Sequence, residues 1–327
     1  MPSRPPTAPT TIHTAQLPRL TDVIGQRAAV ERLKVAVAAA RADDRPLDHF
    51  LLTGPGGVGK TTLVQIVAAE MGVPFRESLA SALNEGGIAS FLLDACDKQA
   101  CFIDECHELE GQNVTLLYRA VAERKLFLPG GRKVRALPLP AFSLFAATTD
   151  PHTLPPSFRD RFIELPLDFY TPAELSAIVR QRAAAMNWAA ADPVFESIGR
   201  LGRGIPRLAI RLLTGSREVC RSRNETVITA EHFAKACELE GRDRTLGLDR
   251  VEQSLLTFLH DADGPVRLNV LASRLGLSAK TVTMHESFLV RSGLVVRTEE
   301  GRALTPEGIE YVRDSASGSV EGGDHAR

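Results

Sequence analysis

The sequence predicts an α/β domain with a doubly wound parallel sheet, then a small all-helical domain, then a C-terminal winged helix. Five short apolar segments alternate with helical patterns in the first half of the chain, which is typical of a doubly wound sheet. From Thr171 to about Gly241 the hydrophobic periodicity is helical. The last part has the order helix, short strand, helix, turn, helix and hairpin, which is the order of a winged helix.

Changes in composition predict the domain boundaries. At 327 residues the chain is long enough for several hydrophobic cores. Its beginning is rich in proline and threonine and its end in glycine and serine, so both ends are predicted to be disordered. The predicted order is a disordered arm over 1–19, the α/β core over 20–168, the helical domain over 169–244, the winged helix over 245–313 and a disordered tail over 314–327.

Composition narrows the protein class without naming a ligand. The 39 basic and 40 acidic residues nearly cancel, so the net charge argues neither for nor against nucleic acid. No run of about 18 apolar residues and no signal peptide are present, which predicts a cytoplasmic protein without membrane contact. The five cysteines form no C-x-x-C pair and are predicted to be buried and reduced, with a metal site or a disulfide as the alternative.

The glycine-rich segment 54–61, GPGGVGKT, is the main functional motif. It lies between an apolar strand predicted over 49–53 and a helix predicted to begin at Lys60. Such a turn aims backbone N–H groups and the positive end of the helix dipole at one point, where phosphates bind. The segment matches the Walker A pattern and predicts ATP binding, with Lys60 on the β- and γ-phosphates and Thr61 on Mg²⁺. The predicted nucleotide-binding residues here are Gly54, Gly57, Val58, Gly59, Lys60, Thr61 and Thr62.

A second acidic motif follows the apolar strand predicted from Ala100. The strand ends in Asp104 and Glu105, which matches a Walker B motif. We expect Asp104 to hold Mg²⁺ beside Thr61, and Glu105 to activate the attacking water. Two acids at a strand end are by themselves more often a solvated turn, so this interpretation depends on the Walker A motif.

Polar and basic residues near other strand ends supply further candidates. The strand over 143–149 ends in Thr148 and Thr149, which are suited to sensing the γ-phosphate. Arg159 and Arg161 precede the next apolar strand and are either functional cations or surface charges. The segment from 199 to 224 contains seven arginines and a single acidic residue. This excess of positive charge predicts a surface that binds phosphate, whether of ATP or of DNA. These arginines are Arg200, Arg203, Arg207, Arg211, Arg217, Arg221 and Arg223.

Two segments are ambiguous as nucleic-acid contacts. A hairpin predicted over 126–140 carries Arg132, Lys133 and Arg135, which contact a partner or DNA phosphates or are simply solvated. The winged-helix segment 246–313 has eight basic and nine acidic residues, which is a weak balance for a DNA reader. Both DNA contact and docking of a protein stay open for this module. Its candidate DNA-binding residues are Lys280, Arg297 and Arg302.

Taken together, these motifs resemble the RuvB family of AAA+ motors, which drive branch migration of Holliday junctions. The resemblance covers about residues 18–313. The segments that carry it are VIGQ at 23–26, LDHFLLTGPGGVGKTT at 47–62, FIDECH at 102–107, ATT at 147–149, FRDRF at 158–162, RGIPRLAIRLL at 203–213 and GPV at 264–266.

The resemblance implies a P-loop AAA+ core, a helical lid and a homo-oligomeric, hexameric ring that uses ATP and Mg²⁺ to move the duplex arms of four-way junction DNA. It also implies a junction-binding partner similar to RuvA, although the hairpin here is shorter and more basic than the family's. The roles implied are the adenine pocket for Val23 and Ile24, the first sensor for Thr148 or Thr149, the arginine finger for Arg161 with Arg159 close by, and the second sensor for Arg207. The alternative function is a nucleotide-switched regulatory or clamp-loader-like protein whose winged helix binds a protein partner.

Overall fold

The structure, a computed structural model, describes residues 18–130, 133–262 and 264–318, and the chain divides into two compact units after Thr214. The helices are α1 Arg27–Ala42, α2 Lys60–Met71, α3 Glu85–Leu93, α4 Gly111–Glu123, α5 Pro156–Arg159, α6 Pro172–Ala185, α7 Asp192–Leu201, α8 Pro206–Ser222, α9 Ala230–Leu239, α10 Arg250–Asp261, α11 Leu268–Leu275, α12 Ala279–Arg291 and α13 Pro306–Gly318. The strands are β1 Phe50–Thr53, β2 Phe75–Leu79, β3 Ala100–Asp104, β4 Lys125–Gly130, β5 Lys133–Pro138, β6 Ser143–Thr148, β7 Ile163–Pro166, β8 Ala189–Ala190, β9 Val227–Ile228, β10 Val295–Arg297 and β11 Arg302–Leu304.

A five-stranded parallel sheet forms the centre of the first unit, with the order β2-β3-β6-β1-β7. The doubly wound sheet predicted from the sequence is therefore confirmed. Phe50 at the start of β1 pairs with Phe145 of β6 on one side and with Ile163 of β7 on the other. Because all five strands run the same way, the loops after β1, β3 and β6 meet at one edge of the sheet.

Alternating side chains along the buried strands pack into two cores, one on each face of the sheet. Leu51, Ile103 and Leu144 face the core that contains α3 and α4. Phe50 and Phe145, whose stacked rings lie 5.6 Å apart, face the core that contains α1 and α2. Both faces are covered by helices, which explains why these strands are continuously apolar in sequence.

Helix α6 begins where its capping signals predict. The Thr171 hydroxyl accepts a hydrogen bond from the Glu174 N–H at 3.2 Å, and the Glu174 carboxylate accepts one from the Thr171 N–H at 2.8 Å. This is a capping box, and Pro172 occupies the first helical position. The expectation of a purely helical region is wrong in one detail, because the two-residue strands β8 and β9 also lie there.

The second unit contains the predicted winged helix. Leu255, Leu271 and Leu289 are fully buried in its core. Strands β10 and β11 pair antiparallel as the wing, and Val266 forms a single bridge to Arg302. Helix α13 continues to Gly318, so the segment from 314 to 318, expected in the tail, is helical.

The hairpin, the cysteines and the helix lengths can each be compared with the sequence predictions. Strands β4 and β5 form the predicted hairpin, but Arg132 and the side chains of Lys133 and Arg135 lie outside the described residues. Cys96 is exposed, so the prediction that every cysteine is buried is wrong at that position, whereas the other four are buried and all five are free thiols. Over the described ranges, no helix is long and apolar enough to cross a bilayer.

Candidate nucleotide site

The loop between β1 and α2 is shaped by glycines with positive φ. Gly54, Gly57 and Gly59 have φ values of 140°, 80° and 99°, which side chains rarely adopt. A Cβ atom on Gly54 would lie 2.1 Å from the carbonyl oxygen of Leu167. The glycine pattern therefore provides both the conformation of the loop and the space for β7 beside it.

Lys60 begins α2 and is only 6% exposed. Its Nζ donates hydrogen bonds to the carbonyl oxygens of Gly54 at 2.8 Å and Pro55 at 3.0 Å. Burial lowers the pKa of Lys60, while the carboxylates of Glu105 and Asp104 oppose that shift. The ammonium group is thus held inside the loop, at the amino end of the helix.

A cavity of about 310 Å³ opens at this edge of the sheet. Thr61 and Asp104 line it together, and they also line a neighbouring cavity of about 430 Å³. A hydroxyl and a carboxylate at one point are oxygen donors of the kind that Mg²⁺ prefers. The full lining is Gly56, Gly57, Gly59, Lys60, Thr61, Thr62, Asp104, Glu105, Pro206, Arg207 and Ile210.

Glu105, just beyond the end of β3, has a left-handed backbone with φ 49° and ψ 46°. Its Oε2 accepts a hydrogen bond from the Thr149 hydroxyl at 3.2 Å and lies 3.3 Å from His107 Nδ1. Thr148 is fully buried instead, with its hydroxyl 3.0 Å from His107 Nδ1 and accepting a bond from the Asp150 N–H at 2.9 Å. Thr149 is therefore the threonine that contacts the acid.

His107 belongs to the site, although the sequence alone does not indicate a role for it. Its ring connects the carboxylate of Glu105 with the hydroxyl of Thr148, so it contacts both acid-bearing and threonine-bearing strand ends. The sequence places His107 two residues after Glu105, which is the one feature that could have pointed to it. A single histidine in a turn does not, however, show which residues it contacts.

Arg207 approaches the same cavity from the start of α8. Its backbone N–H donates to the carbonyl oxygen of Gly57 at 3.3 Å, and its side chain is exposed. A Cβ atom on Gly57 would lie 2.9 Å from Ile205 Cγ2 and 3.2 Å from Arg207 Cβ. The segment before α8 is therefore packed directly on the glycine loop, as the predicted role of Arg207 requires.

Arg159 and Arg161 lie at the opposite edge of the sheet. The Ile163 N–H donates to the His49 carbonyl at 2.8 Å, which places the start of β7 beside the start of β1. Strand β1 then runs four residues, roughly 13 Å, before it reaches the glycine loop. Arg159 Nε donates to Glu164 Oε1 at 2.7 Å, whereas Arg161 is exposed and forms no ion pair within the described part of the chain.

The structure does not place Val23 and Ile24 in the lining of the 310 Å³ cavity. Val23 packs against the core around α1 and α2, as does Tyr170. The Tyr170 hydroxyl donates to the carbonyl oxygen of Val58 at 3.2 Å, and its ring leaves no space for a Cβ atom on Gly25. Their role in an adenine pocket stays a prediction, with Tyr170 as the link between this segment and the loop.

The predicted DNA-binding arginines of the wing are both bonded to one acid. Glu286 of α12 is completely buried, and Arg302 contacts it with two hydrogen bonds of 2.8 and 3.0 Å. Arg297 Nη2 lies 2.8 Å from the same carboxylate and is half exposed. Lys280, at the start of α12, is exposed. Contact of these three cations with DNA stays a prediction.

The glycine loop, the acidic end of β3, the threonine end of β6 and an arginine at the start of the lid helix define a P-loop nucleotide-binding protein of the AAA+ class. The chain matches the Holliday junction DNA helicase RuvB P-loop domain over residues 16–165, the RuvB AAA lid domain over 170–243 and the RuvB C-terminal winged helix domain over 245–313. It belongs to the RuvB family.

Individual relatives agree with this assignment. The Holliday junction branch migration complex subunit RuvB of Gluconobacter oxydans is 40% identical over 304 residues, covering 90% of this chain and 86% of the relative. RuvB 2 of Synechococcus is 37% identical over 302 residues, covering 90% and 81%. The structure of the Thermotoga maritima RuvB Holliday junction branch migration motor superposes with a TM-score of 0.78 at 32% identity, covering 90% of this chain and 97% of that chain. The regulatory alternative is not favoured by these matches.

Proposed function

We propose that this protein is an ATP-driven motor that assembles into a ring and moves duplex DNA during branch migration of four-way junctions. The observation that carries the proposal is the position of Arg161, which has no ion-pair partner among the described residues and lies at the sheet edge opposite the nucleotide loop. An arginine so placed is too far from the loop to contact the nucleotide of its own chain, so the nucleotide of a neighbouring copy is its proposed partner. The named relatives, which are branch migration subunits, support the DNA substrate.

Within one chain, the site supports hydrolysis of ATP. Lys60 would contact the β- and γ-phosphates, and Thr61 with Asp104 would hold Mg²⁺, which would neutralise the phosphate oxygens. Glu105 would accept a proton from water as the water oxygen attacks the γ-phosphorus. The bond to the β,γ-bridging oxygen breaks, and ADP leaves with the electron pair. Thr149 and His107 keep the Glu105 carboxylate in place.

The finger would complete the site from the neighbouring copy. Arg161 would stabilise charge on the transferring phosphoryl group, a contribution of about 10³–10⁵ in rate in other NTPases. Arg159 is already neutralised by Glu164, so we assign the finger to Arg161. A finger supplied by the next copy requires an oligomer, and a closed ring of six copies is our proposal for it. Arg207, on the other side of the nucleotide, would report the phosphate state to α8.

On DNA, the exposed Lys280 and the exposed half of Arg297 are the proposed contacts, and Arg302 joins them only if its bond to Glu286 opens. A RuvA-like partner and a cytoplasmic location stay predictions.

The test is steady-state ATP hydrolysis with synthetic four-way junction DNA, with linear duplex of equal length, and without DNA, for the wild type and for Arg161→Ala. We expect stimulation by the junction, weakening as salt rises, and a loss of about 10³-fold or more in the variant. A gel assay of strand exchange at the junction should show the same loss. A turnover that no DNA changes, together with no strand exchange, would contradict the motor function.

A further inference from the structure

A further cavity, separate from the two at the nucleotide loop, lies at the sheet edge that carries Arg161. Its volume is about 310 Å³, and it lies where the end of α4, the start of β1 and the loop before β7 come together. Three of the side chains that line it are arginines. The lining is Arg45, Pro46, Leu47, Asp48, His49, Val121, Arg124 and Arg161.

The charges in this cavity are not balanced. Arg45 is paired with Asp48 at 3.1 Å and with Asp43 at 3.3 Å. Arg124 and Arg161 form no ion pair with any acid of the described residues and are both exposed. Two guanidinium groups on one small cavity repel each other, and an anion of high charge placed between them would remove that repulsion.

His49 does not contribute to the positive charge. Its Nδ1 accepts a hydrogen bond from the Leu144 N–H at 2.9 Å, which requires an unprotonated nitrogen. Burial, and then the charge of Arg124, lower the pKa of His49 to about 4. The two unpaired arginines are therefore the cations that an arriving anion would meet at neutral pH.

The backbone of Arg124 is strained. It follows the last residue of α4 with φ 50° and ψ 39°, a left-handed conformation that glycine usually adopts at a helix end. Its carbonyl oxygen accepts a hydrogen bond from the Leu139 N–H at 2.9 Å, so the conformation is well defined. A glycine would adopt this backbone conformation with less strain. What the arginine contributes at this position is its guanidinium group.

We propose that Arg124 is a second catalytic arginine that acts on the neighbouring copy, contacting the phosphates of its ATP beside Arg161. The inference rests on the proposed function, because the ring is what brings this edge to a neighbour's nucleotide. Two guanidinium groups can spread over different oxygens of the transferring phosphoryl group, whereas one finger reaches only part of that charge. Arg161 and Arg124 together give the edge the chemistry of a phosphate clamp.

The first test replaces Arg124 by glycine. Arg124→Gly removes the guanidinium and also relieves the strained backbone, so we expect an equal or higher melting temperature but a kcat lower by about 10²-fold. The matched control is Arg119→Gln on the same helix, whose guanidinium is paired with Glu123 and does not line the cavity. We expect the control to keep the wild-type kcat. An unchanged kcat in Arg124→Gly would overturn the proposal.

The second test shows whether Arg124 acts between copies. Glu105→Gln should abolish hydrolysis at its own site while keeping Arg124 and Arg161. The Glu105→Gln variant is mixed with Arg124→Gly at equal amounts, so that rings assemble at random from both. At about one interface in four, an Arg124→Gly copy then supplies an intact Glu105 and its neighbour supplies an intact Arg124. We expect activity well above the sum of the two variants measured separately. No recovery would show that Arg124 acts within its own chain, and would overturn the proposal.

A parallel mixture distinguishes a failure of the role proposed for Arg124 from a failure of the proposed motor function. Glu105→Gln mixed with Arg161→Ala should recover activity by the same logic. If that mixture recovers and the Arg124→Gly mixture does not, only the role of Arg124 fails. If neither recovers, the arrangement of a finger between copies fails with it.

Discussion

The hydroxyl of Thr149 donates a hydrogen bond to the carboxylate of Glu105 across 3.2 Å, joining the ends of two neighbouring strands. The Thr149 N–H points at the same oxygen at 3.4 Å. A general base that is held before substrate arrives needs little reorganisation in the transition state. Because Glu105 is the proposed general base, we expect Thr149 to contribute to the rate by holding the Glu105 carboxylate in position.

Replacing Thr149 by valine removes this hydrogen bond while keeping the shape of the side chain. We expect Thr149→Val to lower single-turnover ATP hydrolysis by roughly 10–100-fold with little change in nucleotide affinity. Thr115→Val, on the exposed face of α4, is the control, because the Thr115 hydroxyl bonds to the Gly111 carbonyl of its own helix. Equal rates for the two variants would show that Thr149 does not position the base.

Two glycines of the nucleotide loop should differ sharply when replaced by alanine. Gly54 has φ 140° and no space beside the Leu167 carbonyl, whereas a Cβ atom on Gly56 meets nothing within 4 Å. We expect Gly54→Ala to destabilise the nucleotide-free protein by at least about 2 kcal/mol, and Gly56→Ala to change its melting temperature little. Thermal unfolding without nucleotide measures both, and similar melting temperatures would contradict this account of the loop.

His49 should make the first unit sensitive to acid. Its folded-state pKa of about 4 is below the ordinary value of 6.5, so the unfolded chain binds the proton more tightly. The contribution of neutral His49 to the free energy of unfolding is complete above pH 6.5. As the pH falls toward 4, this contribution is lost, by on the order of 2–3 kcal/mol. His49→Asn keeps an acceptor for the Leu144 N–H but does not titrate. Its melting temperature should fall less than that of the wild type over this range, and parallel curves would contradict the assignment.

The buried Glu286 should limit the contact of the wing with DNA. In Glu286→Gln the bonds to Arg297 and Arg302 lose their charge, and both arginines become available to phosphates. We expect tighter binding to duplex DNA at low salt and a salt dependence steeper by up to about 1.8 in slope. Glu300→Gln changes the net charge equally at the exposed wing tip and is the control. If the two variants bind DNA alike, the wing arginines do not reach phosphates.

Much of the fold and of the nucleotide site could be predicted because local signals and tertiary structure agree there. The glycine pattern of the loop, Pro172 at the first turn of α6 and the alternation of apolar strands with helices each have one favourable structural solution. The helices α11 and α2 begin at the residues that their flanking turns indicate.

The rest depends on contacts between residues distant in sequence. Nothing near Arg297 and Arg302 shows that Glu286, on another element, bonds to both of them. The choice between Thr148 and Thr149 depends on where β6 ends, because the strand is buried through Thr148 and Thr149 is the first exposed residue after it. The pairing of Arg159 with Glu164 depends on the turn between them. The sequence does not single out Arg124, because charged residues are common at helix ends on protein surfaces. Its importance follows from the cavity it shares with Arg161.

The hydrogen bond between the Arg207 N–H and the Gly57 carbonyl has a mechanical consequence. With no room between Gly57 and Ile205, the glycine loop and the first residue of α8 cannot slide past each other. We expect a shift of the loop on loss of a phosphate to be felt first at Ile205 and Arg207, where α8 begins. The first turn of α8 is therefore a direct neighbour of the phosphate-binding loop, joined to it by one backbone hydrogen bond.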